Sequence, residues 1–194
     1  MLIIYNHSFG QTMDKENCKI EFYLLKFIKP NLDTTNKLSA PFSVNKTDIE
    51  DKAFIKDNEI FGYFFLKDTV KFKDSSIIRT RQKFVVSTLV TTRINNLNIP
   101  LCCGKQFALV VNDVVVYTGY FWNFFSSFAC DGITAFADNG RIYILKDLPE
   151  KDYAKKFQDQ RQNSNLFDCL LKTNRLHSDK EIQKPINGTR AKEF

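Results

Sequence analysis

Phe107-Ala-Leu-Val-Val111, then Asn112-Asp113, then Val114-Val-Val-Tyr117 reads as two β-rich runs split by a two-residue turn, the pattern of a β-hairpin. The pattern recurs a few residues on. Ile133-Thr-Ala-Phe-Ala137 and Arg141-Ile-Tyr-Ile-Leu-Lys146 flank Asp138-Asn139-Gly140, and Asn-Gly is the strongest short hairpin signal. Residues 107–111 are apolar without a break, so both faces of that strand are expected to be covered. These two hairpins predict a sheet, and the rest of the chain is read around it.

Upstream, residues 18–28 begin with alternation and predict a strand with Ile20, Phe22 and Leu24 on one face. Pro30 ends it, and 29–46, with Pro41 inside, reads as a loop. Thr47-Asp-Ile-Glu50 fits a capping box opening one helical turn. Residues 59–66 predict a second strand with Gly62 as a bulge. Residues 68–82 suit no single element. The β-branched stretch 83–94 predicts a strand, although its position would also suit a helix, and 95–100 closes it as a loop.

Downstream, Asp147 is placed to cap a helix with Pro149 in its first turn. Tyr153 and Phe157 would share a face of that helix. After Asn163-Ser-Asn165, the residues Leu166, Phe167, Leu170 and Leu171 predict a second amphipathic helix. The expected fold is a single α+β domain over 14–176, a mixed or antiparallel sheet with helices on one face. Residues 177–194 read as a mobile polar tail.

The chain has 194 residues, 43% of them hydrophobic, enough for the core of one domain. Seven Gly and five Pro exclude a collagen-like or low-complexity chain. Net charge is +6, and the excess is uneven. Lys71, Lys73, Arg79, Arg81, Lys83 and Arg93 face one acid, Asp74, between 71 and 93. Such a stretch is either a solvated face or a surface for nucleic acid or anionic membrane. No RGG run, zinc-finger spacing or RNA-recognition motif supports nucleic acid, so membrane-surface contact is the better of the two partner readings. No stretch reaches the roughly 18 apolar residues of a membrane span.

The amino end, Met1-Leu-Ile-Ile-Tyr-Asn-His-Ser-Phe-Gly-Gln11, runs from apolar to small and polar, then meets Asp14-Lys-Glu16. Residues 1–13 thus read as the remnant of a secretory signal peptide, with the true start upstream and the mature protein outside the cytoplasm, periplasmic or secreted. The competing reading is a short N-terminal strand in a cytoplasmic protein starting at Met1. Cys18, Cys102, Cys103, Cys130 and Cys169 are an odd number with no C-x-x-C, which argues against a tidy disulfide framework or a zinc ribbon. Joining the adjacent Cys102 and Cys103 would demand a strained turn. Cysteines alone leave the redox compartment open.

Catalytic chemistry finds little to use. His7 and His177 are the two histidines, one in the signal-like segment and one near the tail. No G-x-S-x-G, H-E-x-x-H or Walker loop occurs, and Gly104-Lys105 lacks the rest of a P-loop. Asp131 and Asp138 are candidate paired carboxylates, though hairpin ends carry Asp for turn reasons. Cys130 with Asp131 would need further metal ligands that the sequence does not place. No catalytic residue, metal or cofactor is therefore expected.

The informative constellation is 117–131, where Tyr117, Tyr120, Phe121, Trp122, Phe124, Phe125 and Phe128 fall within twelve residues. Such rings either form core or are partly presented to a partner. The presented reading makes Tyr117, Tyr120, Trp122, Ser126, Ser127, Cys130 and Asp131 the binding residues for a protein or small-molecule partner. In it Tyr120 and Trp122 are the anchors and the serines are adaptable hydrogen-bond partners.

The run from Gly104 through Trp122, with Ser126, Ser127, Cys130 and Asp131 after it, resembles a family of small exported bacterial proteins of uncharacterised activity. Its pattern is an apolar strand, a short turn, a Tyr-x-Gly-x-Phe-Trp segment, then paired Ser and a Cys. Ile20-Glu-Phe-Tyr-Leu-Leu25 fits it too. The element set over 18–148 is distantly similar to the head of the first periplasmic domain of SecD-type translocase subunits. The departures are 83–94, where the family-like helix is β-branched, and the tail beyond 176. The resemblance implies an envelope location and no particular activity. The expected function is thus a non-enzymatic interaction or ligand-binding module of the bacterial envelope. The alternatives are an anionic-surface or nucleic-acid binder using 71–93, and a cryptic enzyme.

Overall fold

The two hairpins become the middle of one curved sheet. The computed structural model describes residues 18–29, 42–72, 75–148 and 160–177, with side chains described at all of these except 66–72, 75–81, 147 and 148. The strands are β1 (Ile20–Leu24), β2 (Ile60–Phe72), β3 (Ser75–Val86), β4 (Lys105–Val111), β5 (Val114–Phe121), β6 (Cys130–Asp138), β7 (Arg141–Leu148) and β8 (Leu176–His177). The helices are α1 (Thr88–Asn95) and α2 (Ser164–Lys172). The sheet runs β1-β4-β5-β6-β7-β3-β2-β8. It is mixed: β5–β6 and β2–β8 pair in parallel and the other neighbours antiparallel. The fold is α+β, dominated by its sheet.

Turn chemistry explains the hairpins. Asn112 and Asp113 both have positive φ, 49° and 65°, as do Asn139 and Gly140, 38° and 74°. Two successive left-handed residues make the turn whose twist matches a hairpin, and Asn and Asp tolerate it. Between the hairpins, β5 and β6 run parallel across only residues 122–129, tied by Tyr120 opposite Thr134 and Phe121 opposite Ala135. Gly119 allows this approach. A Cβ there would sit 2.7 Å from the Ile133 carbonyl oxygen and 2.8 Å from the Phe107 ring.

The strands bury two layers. One face gathers Phe22, Tyr63, Phe84, Phe107, Leu109, Tyr117, Phe121, Ile142 and Ile144. Both helices pack into this same layer, α1 through Val90 and Ile94, α2 through Leu166, Cys169 and Leu170. On the other face Ala108, Val110, Tyr120, Trp122 and Cys130 are covered by Leu25, Phe42 and Ile49. Strand β4 is therefore apolar at consecutive positions because it has two dry faces, as its sequence predicted.

Several elements differ from their reading. The turn at 46–48 is capped by Asn45, whose N–H donates to the Asp48 carboxylate at 2.8 Å, so the box begins two residues before Thr47. The stretch 83–94 is divided: 83–86 complete β3, then Ser87 caps α1 by accepting the Val90 N–H. Local capping chemistry overrides the β-branched composition there. Residues 68–82, which suited no element, are the outer part of the β2–β3 hairpin. Asp147 lies inside β7, and the helix expected after it lies outside the described residues. Leu171 is exposed on α2, and its predicted place is taken by Cys169. His177 belongs to β8, beside Phe64, so the sheet reaches one residue into the expected tail. Gly62 does mark a bulge, at the start of β2. The readings on 1–13, 30–41, on Tyr153 and Phe157, and on 178–194 lie outside the described residues.

A bond joins Cys18 to Cys169, with Cα atoms 5.5 Å apart, fastening the start of β1 to α2. The odd cysteine count hid this single bridge. Close by, Arg175 binds Asp57 at 2.8 Å and donates to the Ile60 carbonyl, while Asp57 accepts the Ile20 N–H at 2.8 Å. These bonds hold both ends of the described domain together.

Candidate functional site

The aromatic segment is divided by the sheet. Tyr117, Tyr120 and Phe121 belong to β5, and Trp122 follows directly, its N–H bonded to the Ala135 carbonyl at 2.9 Å. All four are buried. Tyr117 lies in the helix-covered layer, Tyr120 and Trp122 in the opposite one. The expectation that Tyr117, Tyr120 and Trp122 are presented side chains is corrected: these rings are core, because the strand extends four residues further than the hairpin signal showed. Trp122 is 3% exposed. Burial pushes the Tyr120 hydroxyl up to about 12, against the lowering effect of the Gln106 hydrogen bond, with Cys130 and Cys103 adding to the rise.

The presented rings are the next ones. Phe124 and Phe125 are 83% and 87% exposed, and Phe128 is 48% exposed. A hydrogen-bonded turn holds them. The Asn123 side chain accepts the Phe125 N–H at 2.9 Å, and the Ser126 N–H donates to the Asn123 carbonyl at 3.0 Å. The Ser126 hydroxyl donates to the Leu101 carbonyl and accepts the Phe128 N–H. Ser126 is thus a structural clamp, while Ser127 is exposed.

Cys130 is buried in the layer with Trp122, and Asp131 is half-buried beside it at the start of β6. Asp138 ends the same strand seven residues on, about 23 Å away at strand rise. Asp131 and Asp138 therefore do not form a carboxylate pair. Among the described residues no group of three potential metal ligands comes together.

Behind Phe124 and Phe125 lies an open groove of about 660 Å³. One wall is the end of α1 and the loop after it, with Ile94, Asn95, Leu97 and Ile99. The other is β6 and β7, with Phe136, Ala137, Asp138 and Tyr143, and Trp122 and Asn123 close the end. Among the described residues Asp138 is the one charged residue in this lining. The Trp122 Nε1 is buried and has no hydrogen-bond partner among the described residues. Of the residues expected to bind, only Trp122 lines the groove. The 94–99 wall was missed because it was read as the end of a strand and its loop. The signal that could have found it is Ser87 three residues before Val90.

No protein-family model matches the chain, and neither a curated protein nor a solved structure does. Among the described residues no helix is long and apolar enough to cross a membrane.

Proposed function

We propose that the protein is a non-enzymatic ligand-binding module of the bacterial cell envelope whose groove takes a small apolar molecule. The carrying observation is the groove with Phe124 and Phe125 fixed at its lip. Its size falls within the range of small-molecule sites, roughly 300–1,000 Å³, and its lining is apolar with few polar groups, as such sites are. Support for the envelope comes from the Cys18–Cys169 bond, since such bonds persist in oxidising compartments, and from the resemblance carried by 104–131.

Trp122 is the sole tryptophan of the chain, so its emission reports on the groove directly. Titration with the uncharged probe N-phenyl-1-naphthylamine should saturate and change Trp122 emission in step. Phe124→Asp with Phe125→Asp should abolish both signals without unfolding. Absence of saturable probe binding by the wild-type protein sinks the reading.

A second reading has its own observation. Beyond Phe65 and Gln82 the β2–β3 hairpin pairs only with itself among the described residues, and so forms a two-stranded ribbon past the sheet. Its sequence carries Lys67, Lys71, Lys73, Arg79 and Arg81 against Asp68 and Asp74. Such a ribbon would suit an anionic lipid surface. Cosedimentation with phosphatidylglycerol vesicles that falls steeply with salt supports it, because counterion screening weakens contacts of exposed charges.

A further inference from the structure

The turn that carries Cys102 and Cys103 lies directly beneath the aromatic loop. The two sulfur atoms are 2.7 Å apart, closer than an ordinary contact between thiols and beyond the roughly 2.05 Å of a bond. Both side chains are half-buried and neither joins the Cys18–Cys169 bridge. Gly104 ends the turn in a left-handed conformation, φ 65°, with its N–H on the Pro100 carbonyl. A Cβ at Gly104 would lie 2.7 Å from the Trp122 ring and 2.8 Å from the Phe121 carbonyl oxygen, so the turn is pressed against the end of β5. On its other side, the Ser126 hydroxyl holds the Leu101 carbonyl. The residues before and after the pair are thereby tied to Trp122 and to the loop bearing Phe124, Phe125 and Phe128.

We infer that Cys102 and Cys103 form a thiol–disulfide redox site, closing reversibly into an eight-membered ring by exchange with a small-molecule disulfide, and that closure resets the turn under Trp122 and the aromatic loop. Adjacent Cα atoms lie about 3.8 Å apart, below the 4.4–6.8 Å span of ordinary disulfides. The ring is therefore strained and readily reduced, the property of labile and regulatory disulfides. Cys18–Cys169, with its Cα atoms 5.5 Å apart, has no such constraint and stays structural.

Burial, with the neighbouring Cys102 adding to it, pushes the Cys103 thiol up to about 11. The Cys102 thiolate attacks one sulfur of oxidised glutathione and expels one glutathione thiolate, leaving a mixed disulfide. Cys103 gives its proton to that thiolate and attacks the Cys102 sulfur, expelling the second glutathione. Two protein thiols are oxidised and one external disulfide is reduced; the Cys103 proton ends on the first glutathione, and the second takes back from water the proton that Cys102 released to it.

Trypsin cuts after Arg93 and Lys105, which places both cysteines on one peptide. The full chain is equilibrated in glutathione buffers of graded ratio, alkylated and digested, and Trp122 emission is read in parallel without any ligand. The expected result is a 94–105 peptide two hydrogens lighter and free of alkyl groups in oxidising buffers. It reverts to the doubly alkylated form at ratios where Cys18–Cys169 remains closed, and Trp122 emission shifts along the same curve. Cys103→Ser should leave a glutathione adduct on Cys102 and no emission shift. Double alkylation at every ratio, a Cys130 crosslink, or ring closure with unchanged Trp122 emission each overturns the inference. Because no groove ligand is used, this result stands or falls apart from the groove-binding reading.

Discussion

Phe22 on β1 and Phe84 on β3 meet edge to face, with ring centroids 5.2 Å apart at 82°. In the sheet order four strands, β4, β5, β6 and β7, separate β1 from β3. A flat sheet would hold these rings roughly 24 Å apart, five spacings of about 4.8 Å. Their contact shows that the sheet coils until its distant strands share one interior. Phe107 and Tyr63 join the same cluster, at 5.4 Å from Phe22 and 4.7 Å from Phe84.

Phe22→Ala and Phe84→Ala should each cost about 3–5 kcal/mol of folding stability. A double-mutant cycle by chemical denaturation should recover a coupling of about 0.5–1.5 kcal/mol. Strict additivity would mean that the two rings do not touch in solution.

Trp122→Ala should also cost about 3–5 kcal/mol, because the ring is core. Phe124→Ala and Phe125→Ala should change stability by no more than about 0.5 kcal/mol, as exposed positions do. The contrast is measurable in urea, and equal losses at Trp122 and Phe124 would contradict the division of the segment into buried and presented rings.

Gly119→Ala should be among the most damaging single substitutions. The added carbon has backbone on one side and the Phe107 ring on the other. Expressed protein should show a collapsed melting transition, and a melt like that of the wild type would contradict the close approach at Gly119.

Glu59 accepts the Arg93 guanidinium at 2.9 Å and the Lys56 N–H at 2.9 Å. Burial alone would raise its pKa, but these hydrogen bonds and the charges of Arg93 and Lys56 outweigh it and hold the carboxyl below its usual range. A depressed folded value means stabilisation present above the unfolded pKa, about 4.3, and lost as pH falls through the lower folded value. Since Arg93 is partly exposed, the effect should stay below about 1 kcal/mol. Glu59→Gln should flatten that part of the acid-stability curve, and an unchanged acid slope would remove Glu59 from the account.

Cys18→Ser with Cys169→Ser opens a loop spanning 151 residues of sequence separation. The expected loss is about 3–5 kcal/mol, mostly through a less restricted unfolded chain. Thermal melts with and without reductant should differ in the wild type and coincide in the double variant.

Local chemistry made the centre of the fold readable. The positive-φ turns Asn112-Asp113 and Asn139-Gly140 announce themselves, and so does the alternation at Ile20, Phe22 and Leu24. Long-range closure was not readable. Nothing in residues 117–122 says that β5 continues through them, because that depends on a parallel partner, Thr134 and Ala135, beyond the loop. Helix α1 hid for a related reason: Val90, Thr91, Thr92 and Ile94 suit a strand until Ser87 caps them. The candidate site was half-read. Within the aromatic segment the reading named Tyr117, Tyr120 and Trp122, which are buried, whereas its exposed rings are Phe124, Phe125 and Phe128. Its facing wall came from a part of the chain the hairpin signals do not reach.

The pairing of β1 with β4 has a consequence for the order of folding. The Lys19 N–H meets the Asn112 side chain across 93 residues, whereas β2–β3, β4–β5 and β6–β7 are each joined by a short turn. Loop-closure entropy must be spent before distant contacts return anything, so nearby pairings form quickly and remote ones slowly. The three hairpins are therefore the early modules, and the docking of β1 is a late event. Only after it does Cys18 stand beside Cys169, so oxidation of that pair marks chains that have finished folding.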